Sequence, residues 1–97
     1  MNTIKEKLAA SSEKIVTKVI QKGDDFKVIG IGLNKGAILK EHKAPGRAKL
    51  IVIEGKISYK TSESTITMSQ YEEYDIPLDE YHTVEGLEES ICLLIVG

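Results

Sequence analysis

Apolar residues alternate with polar ones along most of this chain, and turn-forming clusters interrupt them about every 8–12 residues, which predicts many short strands. IVTKVI and FKVIGIGL are rich in β-branched residues, and the QKGDD between them predicts a hairpin. Asn34-Lys35-Gly36 forms the next turn, after which a strand runs through Ile38 to His42. Pro45-Gly46 breaks the chain before AKLIVIEG, which is apolar on both faces and therefore reads as a central or sandwiched strand. Beyond the Glu54-Gly55 turn come KISYK, a turn over residues 61–64, STITMS, and YEEYDIP, where Pro77 must end the strand or push it to a sheet edge. LDEYH, HTVEG and SICLLIV complete the chain. Roughly eight to ten strands of this kind predict an all-β sandwich or barrel, with its edges closed or paired with a second copy.

Only the first residues depart from this period. Thr3-Ile4-Lys5-Glu6 has the capping-box form, which predicts a short helix over residues 3–11. Its apolar positions Ile4, Leu8 and Ile15 are too sparse for a free-standing helix, so it should lie against something else. The expected organisation is a helical segment over residues 1–14 followed by one β-domain over 15–97.

Composition agrees with one folded domain: 41% of residues are apolar and 29% charged over 97 residues. Charges interrupt the N-terminus every few residues, so no apolar signal core is present, and the longest apolar run, residues 91–96, is far short of a membrane span. The expectation is a cytoplasmic protein with no membrane partner. Cys92, the single cysteine, lies inside that run and reads as a small buried hydrophobe. A net charge of −2 and the lack of an aromatic-studded basic strand argue against a nucleic-acid partner. The charge is polarised, however. All 13 basic residues fall within 1–60, whereas 61–97 carry 9 acids and no base, so opposite fields should meet across strands or across a subunit interface.

Gly36, five residues, then His42, with Gly55 closing the strand KLIVIE, resembles the first sequence motif of the cupin family. Pro77-Leu78-Asp79-Glu80-Tyr81-His82 resembles the second. The resemblance covers residues 28–97 and implies a double-stranded β-helix, a conical jelly-roll barrel, preceded here by the short N-terminal helix. In metal-binding members the first motif supplies two histidines and a glutamate and the second one more histidine. This chain departs from that pattern: Ala44 stands at the second histidine position and Ala48 at the glutamate. Tyr71, Asp79 and Gly86 replace two glycines and an asparagine of the second motif.

By this resemblance His42 and His82 face one cavity, where two imidazoles could share a metal, relay a proton or bind an anion. They are the metal ligands if a divalent metal is bound, but with two of the four ligands replaced a resident metal is not the expected state. Strand parity places Ala44, Ala48, Leu50 and Val52 inside with Ile57 and Tyr59, an apolar cavity to which the alanines give room. Lys40 and Arg47 fall near the mouth, where they could meet an anionic group. The expected ligand-binding set is therefore His42, His82, Tyr59, Lys40 and Arg47, serving a small molecule in the barrel interior. A metal-dependent isomerase or dioxygenase using His42 and His82 is the enzymatic alternative, and a sugar- or small-acid-sensing module is another. No nucleophile elbow, phosphate-cradling loop or Cys-x-x-Cys pair is present, and no catalytic residue is assigned.

Two structural expectations complete the reading. A homodimer should form through the strand at residues 15–20 together with the N-terminal helix. Tyrosine is a poor residue for positive φ, so the turn around Tyr71 should differ from the glycine turn of the family.

Overall fold

The computed structural model describes residues 15–42, 47–77 and 79–97, with the backbone alone for 40–42. The predicted N-terminal helix, Ala44 and the side chains of Lys40 and His42 lie outside the described residues. Those described form nine strands and no helix: β1 (Ile15–Lys22), β2 (Lys27–Leu33), β3 (Ile38–His42), β4 (Ala48–Glu54), β5 (Lys56–Lys60), β6 (Thr65–Ser69), β7 (Glu73–Ile76), β8 (His82–Gly86) and β9 (Ser90–Val96).

They pair into a five-stranded sheet of order β1-β2-β9-β4-β7 and a four-stranded sheet of order β3-β8-β5-β6. Every pairing is antiparallel. The β1–β2 and β5–β6 hairpins stay within one sheet, while every other connection carries the chain from one sheet to the other. The two sheets are not hydrogen-bonded into one cylinder, so the expected conical barrel is here an open two-sheet sandwich. Its edges are β1 and β7 on one sheet and β3 and β6 on the other. Pro77 follows the last residue of β7, an edge strand, as its missing amide hydrogen requires.

Strand parity sets the core. Leu33, Val52, Ile57, Tyr59, Met68, Val84 and Cys92 are buried between the sheets, joined by Ala37, Leu50 and Ile76. β4 and β9 are both interior strands of their sheet, which accounts for their apolar residues on both faces.

Two tight joints fix how the strands follow one another. Gly55 turns β4 into β5 with φ +90°, and a Cβ there would run into Ser90 Oγ and the Glu89 carbonyl. Ser90, fully buried, accepts from the Lys56 amide at 3.0 Å and lies 3.0 Å from the Lys56 carbonyl and 2.9 Å from the Glu88 carbonyl. The second joint corrects the sequence reading of Tyr71. Its φ is +70°, so the left-handed turn was kept without glycine. The Glu72 amide donates to the Ser69 carbonyl at 3.0 Å, which places Tyr71 at the third position of a four-residue turn, where type II geometry demands positive φ. Its own amide donates to Val52 at 2.6 Å, and the Glu72 side chain accepts from the Ser69 amide at 2.7 Å. With the Val52 amide donating to the Glu72 carbonyl at 3.0 Å, two bonds to β4 hold the turn, and the tyrosine ring is 75% exposed.

Candidate functional site

β3 lies beside β8, and their register sets His42 directly opposite His82. Backbone pairing alone thus brings the two motif histidines to one place. Alternation along β8 buries His82, Val84 and Gly86 and leaves Thr83 and Glu85 partly exposed. On the other side of β8, β5 pairs Tyr59 with Val84, and its fully buried ring stacks diagonally on the His82 imidazole, centroids 4.8 Å apart and planes inclined by 21°.

Glu80 ties both rings down. Its carboxylate accepts from the Tyr59 hydroxyl at 2.8 Å, and its backbone carbonyl lies 3.2 Å from His82 Nδ1. A carbonyl only accepts, so Nδ1 is the donor in this contact. Glu80 is placed for this by a turn in which its amide donates to the Pro77 carbonyl at 3.4 Å and Asp79 takes φ +62°. Tyr74, from β7 of the opposite sheet, packs on Tyr59 with centroids 4.8 Å apart. Burial, then the Glu80 hydrogen bond and charge, push the Tyr59 phenol well above its ordinary range, so it is a neutral donor at any physiological pH. Burial and the Glu80 charge push Tyr74 upward as well.

The predicted interior residues do face inward: Ala48, Leu50, Val52, Ile57 and Tyr59 are all buried. The space between the sheets beside His82 is a cavity of about 20 Å³ lined by Leu50, Val84, Cys92 and neighbouring aliphatic residues, because large side chains close over the gap. That is room for one water-sized molecule.

A larger space lies at the same end. β7 ends at Ile76, which pairs with Ala48 at the start of β4 and lines the small cavity together with His82. Phe26, Ala48, Ile76 and Ile95, with the cations Arg47 and Lys49 and the carboxylates Asp25 and Asp75, line an open groove of about 700 Å³ at this end, and Ile76 borders both it and the small cavity. Arg47 therefore belongs to the groove, while Tyr59 and His82 lie behind it. Lys49, also in the groove, is held by Glu73 at 3.2 Å and Asp75 at 3.8 Å, which push its ammonium upward.

The described donors, which do not include the His42 side chain, form no metal site by themselves. Ala48 puts a methyl group inside the sandwich where the resemblance would put a carboxylate, and among the described residues no three His, Cys, Asp or Glu side chains converge. Cys92 shares the small cavity with His82, but burial pushes its thiol up to about 12, away from the thiolate a metal needs. Glu80 and Tyr74 are the site residues that sequence reasoning did not choose. Glu80 shares parity with His82, and Tyr74 shares parity with the inward Ile76, so alternation offered a signal for both.

A sandwich of nine antiparallel strands whose chain keeps switching sheets, with a histidine pair at one end, defines a jelly-roll protein of the cupin type. Comparison with solved structures agrees. The chain is similar to a cupin superfamily protein from Desulfitobacterium hafniense, with a TM-score of 0.81, 13% identity, and coverage of 89% of this chain and 79% of the other. It is similar to a cupin-2 domain containing protein from Shewanella frigidimarina, with a TM-score of 0.76, 21% identity, and coverage of 98% and 96%. A cupin 2 conserved barrel domain protein from Leptotrichia buccalis matches at 29% identity and a TM-score of 0.79, over 89% of this chain but only 42% of that one. No protein-family model matches the sequence, and no curated protein does. The chain has the cupin fold.

Proposed function

We propose that this cupin binds a small organic acid in the groove at the Arg47 end of the sandwich. The observation that carries this reading is the contrast in space: about 700 Å³ in the groove against about 20 Å³ between the sheets. A groove of that size suits a metabolite-sized molecule. Phe26, Ala48, Ile76 and Ile95 offer an apolar body, and Arg47 supplies a planar cation for a carboxylate. His82 lines the small cavity that shares Ile76 with the groove. This reading keeps Arg47 and His82 of the sequence-derived set and moves the ligand from the interior to the end of the sandwich.

The test is a thermal-shift and calorimetric screen of small mono- and dicarboxylic acids and sugars. An acid at about 100 times its Kd should raise the melting temperature by about 10 °C or more, and Arg47→Ala should remove the rise. A panel of acids that leaves the wild-type melting curve in place would sink the proposal.

A second reading, a metal-dependent enzyme using His42 and His82, has one observation in its favour, the direct cross-strand register of the two residues. Elemental analysis of untagged protein separates the two. Near-stoichiometric metal, lost in His42→Ala and in His82→Ala, would replace the binder with the enzyme.

A further inference from the structure

Of the four charged side chains that line the groove, two neutralise each other and two do not. Lys49 is held by Glu73 at 3.2 Å and by Asp75 at 3.8 Å, so Asp75, itself in the groove, already meets a cation. The Arg47 guanidinium and the Asp25 carboxylate line the same groove, and neither side chain forms an ion pair or hydrogen bond with the other or with any other described residue. Both are exposed. The groove therefore presents one open cation and one open anion beside an apolar wall.

The backbone keeps these two charges apart. β9 runs between β2 and β4, with Val96 opposite both Lys27 and Ala48. Asp25 lies just before Lys27 and Arg47 just before Ala48, so the two stand on either side of the end of β9, about 10 Å from chain to chain, which is twice the strand spacing. Gly97 packs between them. Its amide donates to the Arg47 carbonyl at 2.9 Å, and a Cβ there would lie 2.7 Å from the Asp25 carbonyl. The turn that carries Asp25 is closed by the Gly23 amide, which donates to the Phe26 carbonyl at 2.9 Å.

A plain carboxylic acid satisfies Arg47 but brings its own negative charge towards Asp25, and like charges set together weaken binding. A molecule that carries an ammonium as well turns that repulsion into attraction. We propose that the ligand of this groove is an α-amino acid with an apolar side chain, its carboxylate on Arg47, its ammonium on Asp25 and its side chain against Phe26, Ile76 and Ile95. The guanidinium can donate two parallel hydrogen bonds to a carboxylate, and the Asp25 carboxylate accepts from an ammonium. One carbon bearing both charges leaves its remaining substituent free for the apolar wall, whereas a linear amino acid with charges at its two ends spends its apolar chain between them. Phe26, exposed in the chain alone, supplies part of that wall. The assignment rests on the groove being an acid-binding site and adds the second charge of the acid.

The test is titration calorimetry of the full chain with leucine and phenylalanine and with the same acids lacking the amine, 4-methylpentanoate and 3-phenylpropanoate. At least one amino acid should bind at least about fivefold more tightly than its counterpart, the worth of one partly solvated ion pair. Asp25→Asn should weaken the amino acid and tighten the counterpart, opposite shifts that a folding defect would not produce. Arg47→Gln should weaken both. 6-Aminohexanoate, an isomer of leucine with its charges at opposite ends, should bind more weakly than leucine. Equal affinity of amino acid and counterpart in the wild type, or a preference that survives Asp25→Asn, would overturn the inference and leave the acid-binding reading in place. Tighter binding of 6-aminohexanoate than of leucine would overturn the α-amino acid. No binding of any of these probes would overturn both the inference and the reading on which it rests.

Discussion

The Tyr59 hydroxyl donates to the Glu80 carboxylate across 2.8 Å, while the backbone of the same glutamate accepts from the ring on which Tyr59 stacks. One turn residue thus fixes both aromatic rings at the end of the sandwich. Tyr59→Phe should cost about 1.5–3 kcal/mol in urea unfolding, as expected for a hydrogen bond to a charged group, whereas Glu80→Gln, which keeps an acceptor, should cost less. The phenol's raised pKa sets the sign of the pH effect. Its stabilisation is fully present below the ordinary tyrosine value of 10.0 and is lost as pH rises above it, because the unfolded chain ionises first. Wild-type stability should therefore fall above about pH 10, and Tyr59→Phe should flatten that fall. A Tyr59→Phe variant as stable as wild type, with the same alkaline limb, would contradict this account.

Tyr71 and Asp79 both hold positive φ, at +70° and +62°, without being glycine. Removing the Cβ relieves left-handed strain of about 1–2 kcal/mol, part of which the extra chain entropy of glycine offsets. Tyr71→Gly should therefore raise stability by about 0.5–1 kcal/mol, and Asp79→Gly should gain less because aspartate tolerates this region better. Thermal unfolding in which Tyr71→Gly melts below wild type would show that the exposed ring contributes more than its strain costs.

Cys92 is buried between the sheets, and its thiol is pushed up to about 12 by loss of solvent. The thiolate is the reactive form, so native protein at pH 8 should react with a thiol reagent far more slowly than unfolded protein, by a factor of at least about 100. Rapid labelling of the native state would mean that β9 opens or that the thiol is exposed.

Much of the fold was legible in the sequence. Alternation, turn clusters and Pro77 placed the strands, because a residue's side of a pleated strand depends on nothing beyond its own position and its neighbours. The glycines at 36 and 55 likewise mark their turns, with φ of +85° and +90°. The inward parity of Ala48, Leu50, Val52, Ile57 and Tyr59 followed from the same rule. Tyr71 was misread because its turn is held by bonds to β4, a strand remote in sequence, and such bonds outweigh a local preference of a kilocalorie or two.

What the sequence determined by itself was the all-β period, the place of the turns and the two motif histidines. Only the tertiary structure decided that β3 and β8 are neighbours, so that His42 falls opposite His82, and that Glu80 reaches Tyr59. It also decided that the space beside His82 is only about 20 Å³, since the volume between two sheets depends on every side chain that enters from both. The order of strands in a sheet is set by long-range pairing that no local pattern encodes.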